Sequence, residues 1–150
     1  MIKAVCFDYR GTLVDHRTDQ AFPEMVALLG RLHKRGLRLA LVSRFPAHLL
    51  EERLGGLKAL FGAYVFSSSE SDKLSCIRQF AADLGIDDLS GICFVDDKPA
   101  NLLPVARKST IRAIGFAGSG KYPETAGVCK DAGIPFADSP ARLEQLILAE

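Results

Sequence analysis

The chain has no C-x-x-C pair, no surplus of charge of either sign and no long apolar run, and each absence excludes something. Its four cysteines, Cys6, Cys76, Cys93 and Cys129, stand apart from one another. Cys6 and Cys93 lie inside apolar runs, so they read as small buried hydrophobes rather than metal ligands or disulfide partners, which suits a reducing cytoplasm. A net charge of +1 gives no electrostatic drive toward nucleic acid or an anionic membrane. No stretch approaches the roughly 20 apolar residues that a membrane span needs, and the first residues lack the apolar core of a signal peptide. Repeats, low-complexity segments and an interdomain linker are also missing. The expectation is one soluble, cytoplasmic domain, and 150 residues suffice for a core without disulfides.

What is present is an alternation of short apolar strands and amphipathic helices. Ile2 to Phe7 reads as a buried strand that stops at Asp8. Pro23 opens a helix in which Met25, Val26, Leu28, Leu29 and Leu32 keep helical spacing, and Gly36 closes it. Leu37 to Val42 is a strand ending at Ser43, and a helix follows from Pro46 to Gly55. Tyr64 to Phe66 is a short strand running into Ser67-Ser68-Ser69. Helices are expected from Asp72 to Leu84, from Pro99, from Ala126 to Ala132 and from Pro140 to Leu148. Strands are expected at Ile92 to Val95 and Thr110 to Ile114, with a short run at Ile134-Pro135-Phe136. Strand–helix alternation of this kind predicts a three-layer α/β fold around a mostly parallel sheet of about five strands.

Ligands in such sheets bind beyond the carboxyl ends of the strands. Polar groups stand at four of those ends: Asp8, Ser43, the Ser67–Ser69 run with nearby Lys73, and Asp96-Asp97. Each has an ordinary reading. A serine after a strand suits a helix N-cap, a lone lysine is mostly surface solvation, Asn101 suits a helix surface, and paired acids suit a solvated turn. Together and in this order they form a constellation.

The constellation resembles the haloacid dehalogenase superfamily, a group composed mostly of Mg²⁺-dependent phosphatases. The first motif, a strand followed by D-x-D-G-T, appears as Val5-Cys6-Phe7-Asp8-Tyr9-Arg10-Gly11-Thr12-Leu13. The second is Leu39-Ala40-Leu41-Val42-Ser43, the third is Lys73, and the fourth is Phe94-Val95-Asp96-Asp97-Lys98-Pro99-Ala100-Asn101. The resemblance implies a Rossmann-like fold and hydrolysis of a phosphate ester through an aspartyl-phosphate on Asp8. It implies Mg²⁺ held by the Asp8 and Asp97 carboxylates and the Arg10 backbone carbonyl, with Asp96 supporting that shell. Ser43 and Lys73 would act on the phosphoryl group, and Thr12, Arg10 and Arg44 would lie at the substrate. The partner implied is a phosphorylated substrate, with neither a membrane nor nucleic acid indicated and homo-oligomerisation left open. The stretches from Asp8 to Ser43 and from Ser43 to Lys73 are each filled by one helix and one strand, so a capless single domain is expected.

One position departs from the pattern. The family's phosphatases carry a second aspartate, which protonates the leaving group and activates water, where this chain has Arg10. Arginine stays protonated and cannot serve as a general base. Three placements follow: pointing away from the site, binding a substrate anion, or pairing with Asp8 and Asp97 in place of the metal. The last corresponds to a catalytically impaired domain with a binding or regulatory role. Two weaker signals remain. Gly115 to Lys121 matches G-x-x-x-x-G-K, but Tyr122 replaces the hydroxyl residue of a P-loop, so a mobile surface loop bordering the site is expected instead. His16, His33 and His48 are isolated, and His16 reads as an exposed loop residue.

Overall fold

The strands form where apolar residues run without interruption, because both faces of the sheet are covered by helices. The computed structural model describes residues 1–150. In chain order the elements are β1 (Ala4–Phe7), α1 (Pro23–Lys34), β2 (Arg38–Ser43), α2 (Ala47–Leu54), α3 (Lys58–Phe61) and β3 (Val65–Ser67). They continue with α4 (Lys73–Leu84), β4 (Ile92–Asp96), α5 (Pro99–Lys108), β5 (Arg112–Phe116), α6 (Thr125–Ala132), β6 (Phe136–Ala137) and α7 (Pro140–Leu148). The sheet has the order β3-β2-β1-β4-β5-β6, and every neighbouring pair is parallel.

The two-residue period of the strands sorts their side chains into two cores. Val5, Phe7, Leu39, Leu41, Cys93 and Val95 face α1, α2, α3 and α7. Ala4, Cys6, Ala40, Val42, Ile92 and Phe94 face α4, α5 and α6. Helices therefore lie on both faces, and the winding reverses between β1 and β4. That is the point at which an open parallel sheet forms a crevice. All four cysteines are buried and free, and burial pushes the Cys93 thiol up to about 12, which leaves it chemically inert. No helix is long and apolar enough to cross a membrane.

The sheet has a sixth strand beyond the five or so expected. The run at Ile134-Pro135-Phe136 ends in β6, which pairs only with the end of β5, through Gly115↔Phe136 and Phe116↔Ala137. Residues 55–61, which show no clear period, form a 3₁₀ turn and the one-turn helix α3. No domain is inserted between Asp8 and Ser43 or between Ser43 and Lys73.

Helix α4 begins at Lys73 because Asp72 caps it, its carboxylate accepting from the Ser75 backbone N–H at 2.7 Å. That bond holds the Asp72 carboxyl below the usual carboxylate range. Asp72→Ala is expected to cost about 1 kcal/mol of stability at neutral pH, read by urea denaturation. Because the folded-state value is depressed, the deficit should fade as the pH falls through the Asp72 carboxyl's folded-state range. An unchanged midpoint at neutral pH would remove Asp72 as the cap.

Candidate active site

Registry brings the acids together. Phe7 stands opposite Val95, so the residues leaving β1 and β4 emerge side by side, and the Asp8 N–H donates to the Val95 carbonyl at 3.0 Å. One carboxylate oxygen from each of Asp8, Asp96 and Asp97 falls within a cluster 4.8 Å across, and all three residues are buried. Lys73 reaches into this cluster from the first turn of α4. Its Nζ donates to Asp8 Oδ1 at 2.6 Å and to Asp96 Oδ2 at 2.9 Å. Burial alone would pull the Lys73 ammonium down, but the two carboxylates outweigh it and hold the group above its ordinary value.

The three acids are not equivalent. Asp8 is held at both oxygens, since Thr12 Oγ1 donates to Oδ2 at 3.1 Å. Asp96 is fully engaged: its Oδ1 accepts from the Lys98 backbone N–H at 2.9 Å, and its Oδ2 from Lys73 and from Asn101 Nδ2 at 3.0 Å. Asp97 is different. Its Oδ2 is buried and has no hydrogen-bond partner. Burial first, then the charges of Asp8 and Asp96, push its carboxyl up to about 8. A divalent cation fits this set, because all donors are hard oxygens and the cation would satisfy the orphaned atom and offset the crowded charge.

The turn after β1 is shaped to admit Asp97. Gly11 has φ +89°, and a Cβ there would stand 2.3 Å from Asp97 Oδ2, so only glycine leaves that oxygen room. The loop after β5 then docks on the same turn. Gly118 has φ +56°, a Cβ on it would lie 1.8 Å from the Gly11 carbonyl oxygen, and the Ser119 N–H donates to that oxygen at 3.0 Å. Ser119 Oγ also hydrogen-bonds His16 Nδ1. The expected exposed histidine is therefore corrected, because His16 is half-buried, while the loop borders the site as expected and is tied to the turn by these bonds.

A cleft of about 380 Å³ opens above the acids. Asp8, Ser43, Lys73, Asp96, Asp97, Arg10 and Arg44 line it, as do Lys98, Asn101, Lys121 and Tyr122. Ser43 Oγ accepts from the Phe45 N–H at 3.3 Å, which leaves its own proton free. Thr12 departs from expectation. It is fully buried and spends its hydroxyl on Asp8, so it supports that carboxylate and does not reach substrate. Arg10 does not occupy the acidic cluster. Its guanidinium donates to the His16 carbonyl at 3.0 Å and pairs with Asp19 at 3.6 Å, with its side chain 44% exposed. Lys98, Lys121 and Tyr122 escaped the sequence reading as site residues, and so did Thr125, whose hydroxyl donates to the Asp97 carbonyl at 2.6 Å. Lys98 lay inside the fourth motif. Thr125 had no sequence signal.

No protein-family model matches the sequence, and no curated protein matches it. Solved structures do match its fold. A HAD family hydrolase from Deinococcus radiodurans, solved with bound phosphate and sodium, superposes with a TM-score of 0.78 at 15% identity, over 97% of this chain and 95% of that one. 3-Deoxy-D-manno-octulosonate 8-phosphate phosphatase from Moraxella catarrhalis, in complex with magnesium, phosphate and KDO, gives 0.70 at 20% identity, over 98% and 86%. D,D-heptose 1,7-bisphosphate phosphatase from Burkholderia thailandensis gives 0.68 at 17% identity, over 99% of each chain. The chain has the haloacid dehalogenase-like fold.

Proposed function

We propose that the chain is a Mg²⁺-dependent phosphatase that hydrolyses a phosphate monoester through an aspartyl-phosphate on Asp8. The observation that carries this reading is the buried, partnerless Asp97 Oδ2 beside an Asp8 that Lys73 and Thr12 hold in place. Asp8, Asp97 and the Arg10 backbone carbonyl would hold the metal, and Asp96, with both oxygens engaged, would support them. When bound, the ion supplies the positive charge that lets two anions approach each other.

Asp8 attacks phosphorus and the bond to the leaving oxygen breaks, its electron pair going to that oxygen. Water then attacks the same phosphorus and releases phosphate, which restores the Asp8 carboxylate. Lys73 serves both ends of this exchange, orienting Asp8 and neutralising the phosphoryl oxygens. The free proton of Ser43 donates to one of those oxygens. Such positioning carries most of phosphoryl-transfer catalysis.

Arg10 leaves the leaving-group proton without a donor at the position where the family's phosphatases hold one. This favours esters whose leaving group departs unaided, such as aryl phosphates. It also keeps a second reading in play, a domain of this fold that binds without turning over.

The test is hydrolysis of 4-nitrophenyl phosphate with Mg²⁺ and with chelator. Turnover that requires the metal supports the reading. Turnover unaffected by chelator, or none in either condition, overturns it.

A further inference from the structure

The cleft gathers more positive charge than one reacting phosphate uses, although the whole chain carries only +1. Lys73 is spent on Asp8 and Asp96, and Arg10 on Asp19. Lys98 and Lys121 are spent on nothing of opposite charge, since the ion pairs of this region run through those other residues. Both side chains line the same cleft and stand beside the same ring. Lys98 Nζ lies 5.8 Å and Lys121 Nζ 5.5 Å from the centre of the Tyr122 ring. An aromatic ring favours each ammonium but brings no counter-charge, and two ammonium groups beside one ring repel each other.

The backbone holds this arrangement in place. Lys98 is anchored to the acidic floor, because its own N–H donates to Asp96 Oδ1. Lys121 and Tyr122 leave a loop fixed on the Gly11 carbonyl through Ser119. Two like charges presented from two fixed segments, at the rim of a cleft, form a receptor for an anion that touches both.

We infer that Lys98 and Lys121 bind a second anionic group of the substrate, so that preferred substrates are small phosphate monoesters carrying another phosphate or a carboxylate. The inference rests on the phosphatase reading above and narrows its substrate class. A polynucleotide would need a track of cations along several phosphates, whereas the only other unpaired cation lining this cleft is Arg44.

The test compares fructose 1,6-bisphosphate with fructose 6-phosphate, and 3-phosphoglycerate with glycerol 3-phosphate. Each pair is run on the wild type and on the Lys98→Ala/Lys121→Ala double variant. In the wild type, kcat/KM for at least one doubly anionic compound should exceed that of its partner by about 10- to 100-fold, the scale of hydrogen bonds to charged groups. The ratio should fall toward one in the double variant, mainly through KM, and recover in Lys98→Arg/Lys121→Arg. Which pair shows the ratio separates phosphate from carboxylate. Ratios near one in both wild-type pairs, or ratios untouched by the double substitution, overturn the inference, as does better turnover of a 5′-phosphorylated oligonucleotide. If none of these alkyl phosphates turns over with Mg²⁺, hydrolysis of 4-nitrophenyl phosphate decides the phosphatase reading. Calorimetric titration with the same four ligands then decides the subsite: a preference lost in the double variant supports it, and equal binding overturns it.

Discussion

Asp8→Asn is expected to cut phosphate-ester turnover by about 10⁴-fold or more, the scale of loss when a covalent nucleophile is removed. The substitution keeps size and shape, so the Thr12 hydroxyl retains an oxygen to donate to, and Lys73 retains Asp96 at 2.9 Å. One negative charge leaves a cluster in which Asp96 and Asp97 are already pushed toward their neutral forms, so the fold should not suffer from its loss. Steady-state hydrolysis of 4-nitrophenyl phosphate, with thermal unfolding as the control for folding, reads both effects. A variant that is folded and turns over at the wild-type rate would mean that Asp8 is not the nucleophile.

Arg10→Asp should act in the opposite direction, raising turnover of alkyl phosphates by about 10²–10⁴-fold, the usual worth of a placed general acid and base. Aryl phosphates should gain much less, because their leaving oxygen needs little help from a proton. The existing guanidinium contacts are confined to the His16 carbonyl and an exposed pairing with Asp19, so their loss should be mild, within the 0–1 kcal/mol typical of surface pairs. Comparing alkyl and aryl phosphates in the two proteins gives the answer. An equal gain on both classes would remove the acid–base interpretation. An inert natural chain beside an active variant would favour the binding-domain reading over the enzyme.

The parts of the molecule governed by local chemistry were the readable ones. β1, β2 and β4 are buried on both faces, so they appear as unbroken apolar runs, and the polar residue that ends each run marks the crevice. Proline and capping residues placed α1, α5 and α7 closely. β6 was weakly marked because it is two residues long and gains its identity only by pairing with β5. α3 was hidden between Gly55-Gly56 and Gly62, which break any helical period. The site divides in the same way. Asp8, Ser43, Lys73 and Asp96-Asp97 follow from strand ends, but the place of Lys121 and Tyr122 depends on a loop docking on a turn distant in sequence. No local pattern encodes the contact of Gly118 with the Gly11 carbonyl, and the G-x-x-x-x-G-K spacing there gives no sign of it.

That glycine-on-carbonyl contact bears on how such a protein is remodelled. The segment between β5 and α6 carries rim side chains, yet it is keyed into the turn after Asp8 by an atom-wide gap at Gly118. Grafting a foreign loop to alter substrate choice should therefore succeed only when the incoming segment places a glycine in the same register. Beyond that keyed position, its length and side chains remain open to exchange.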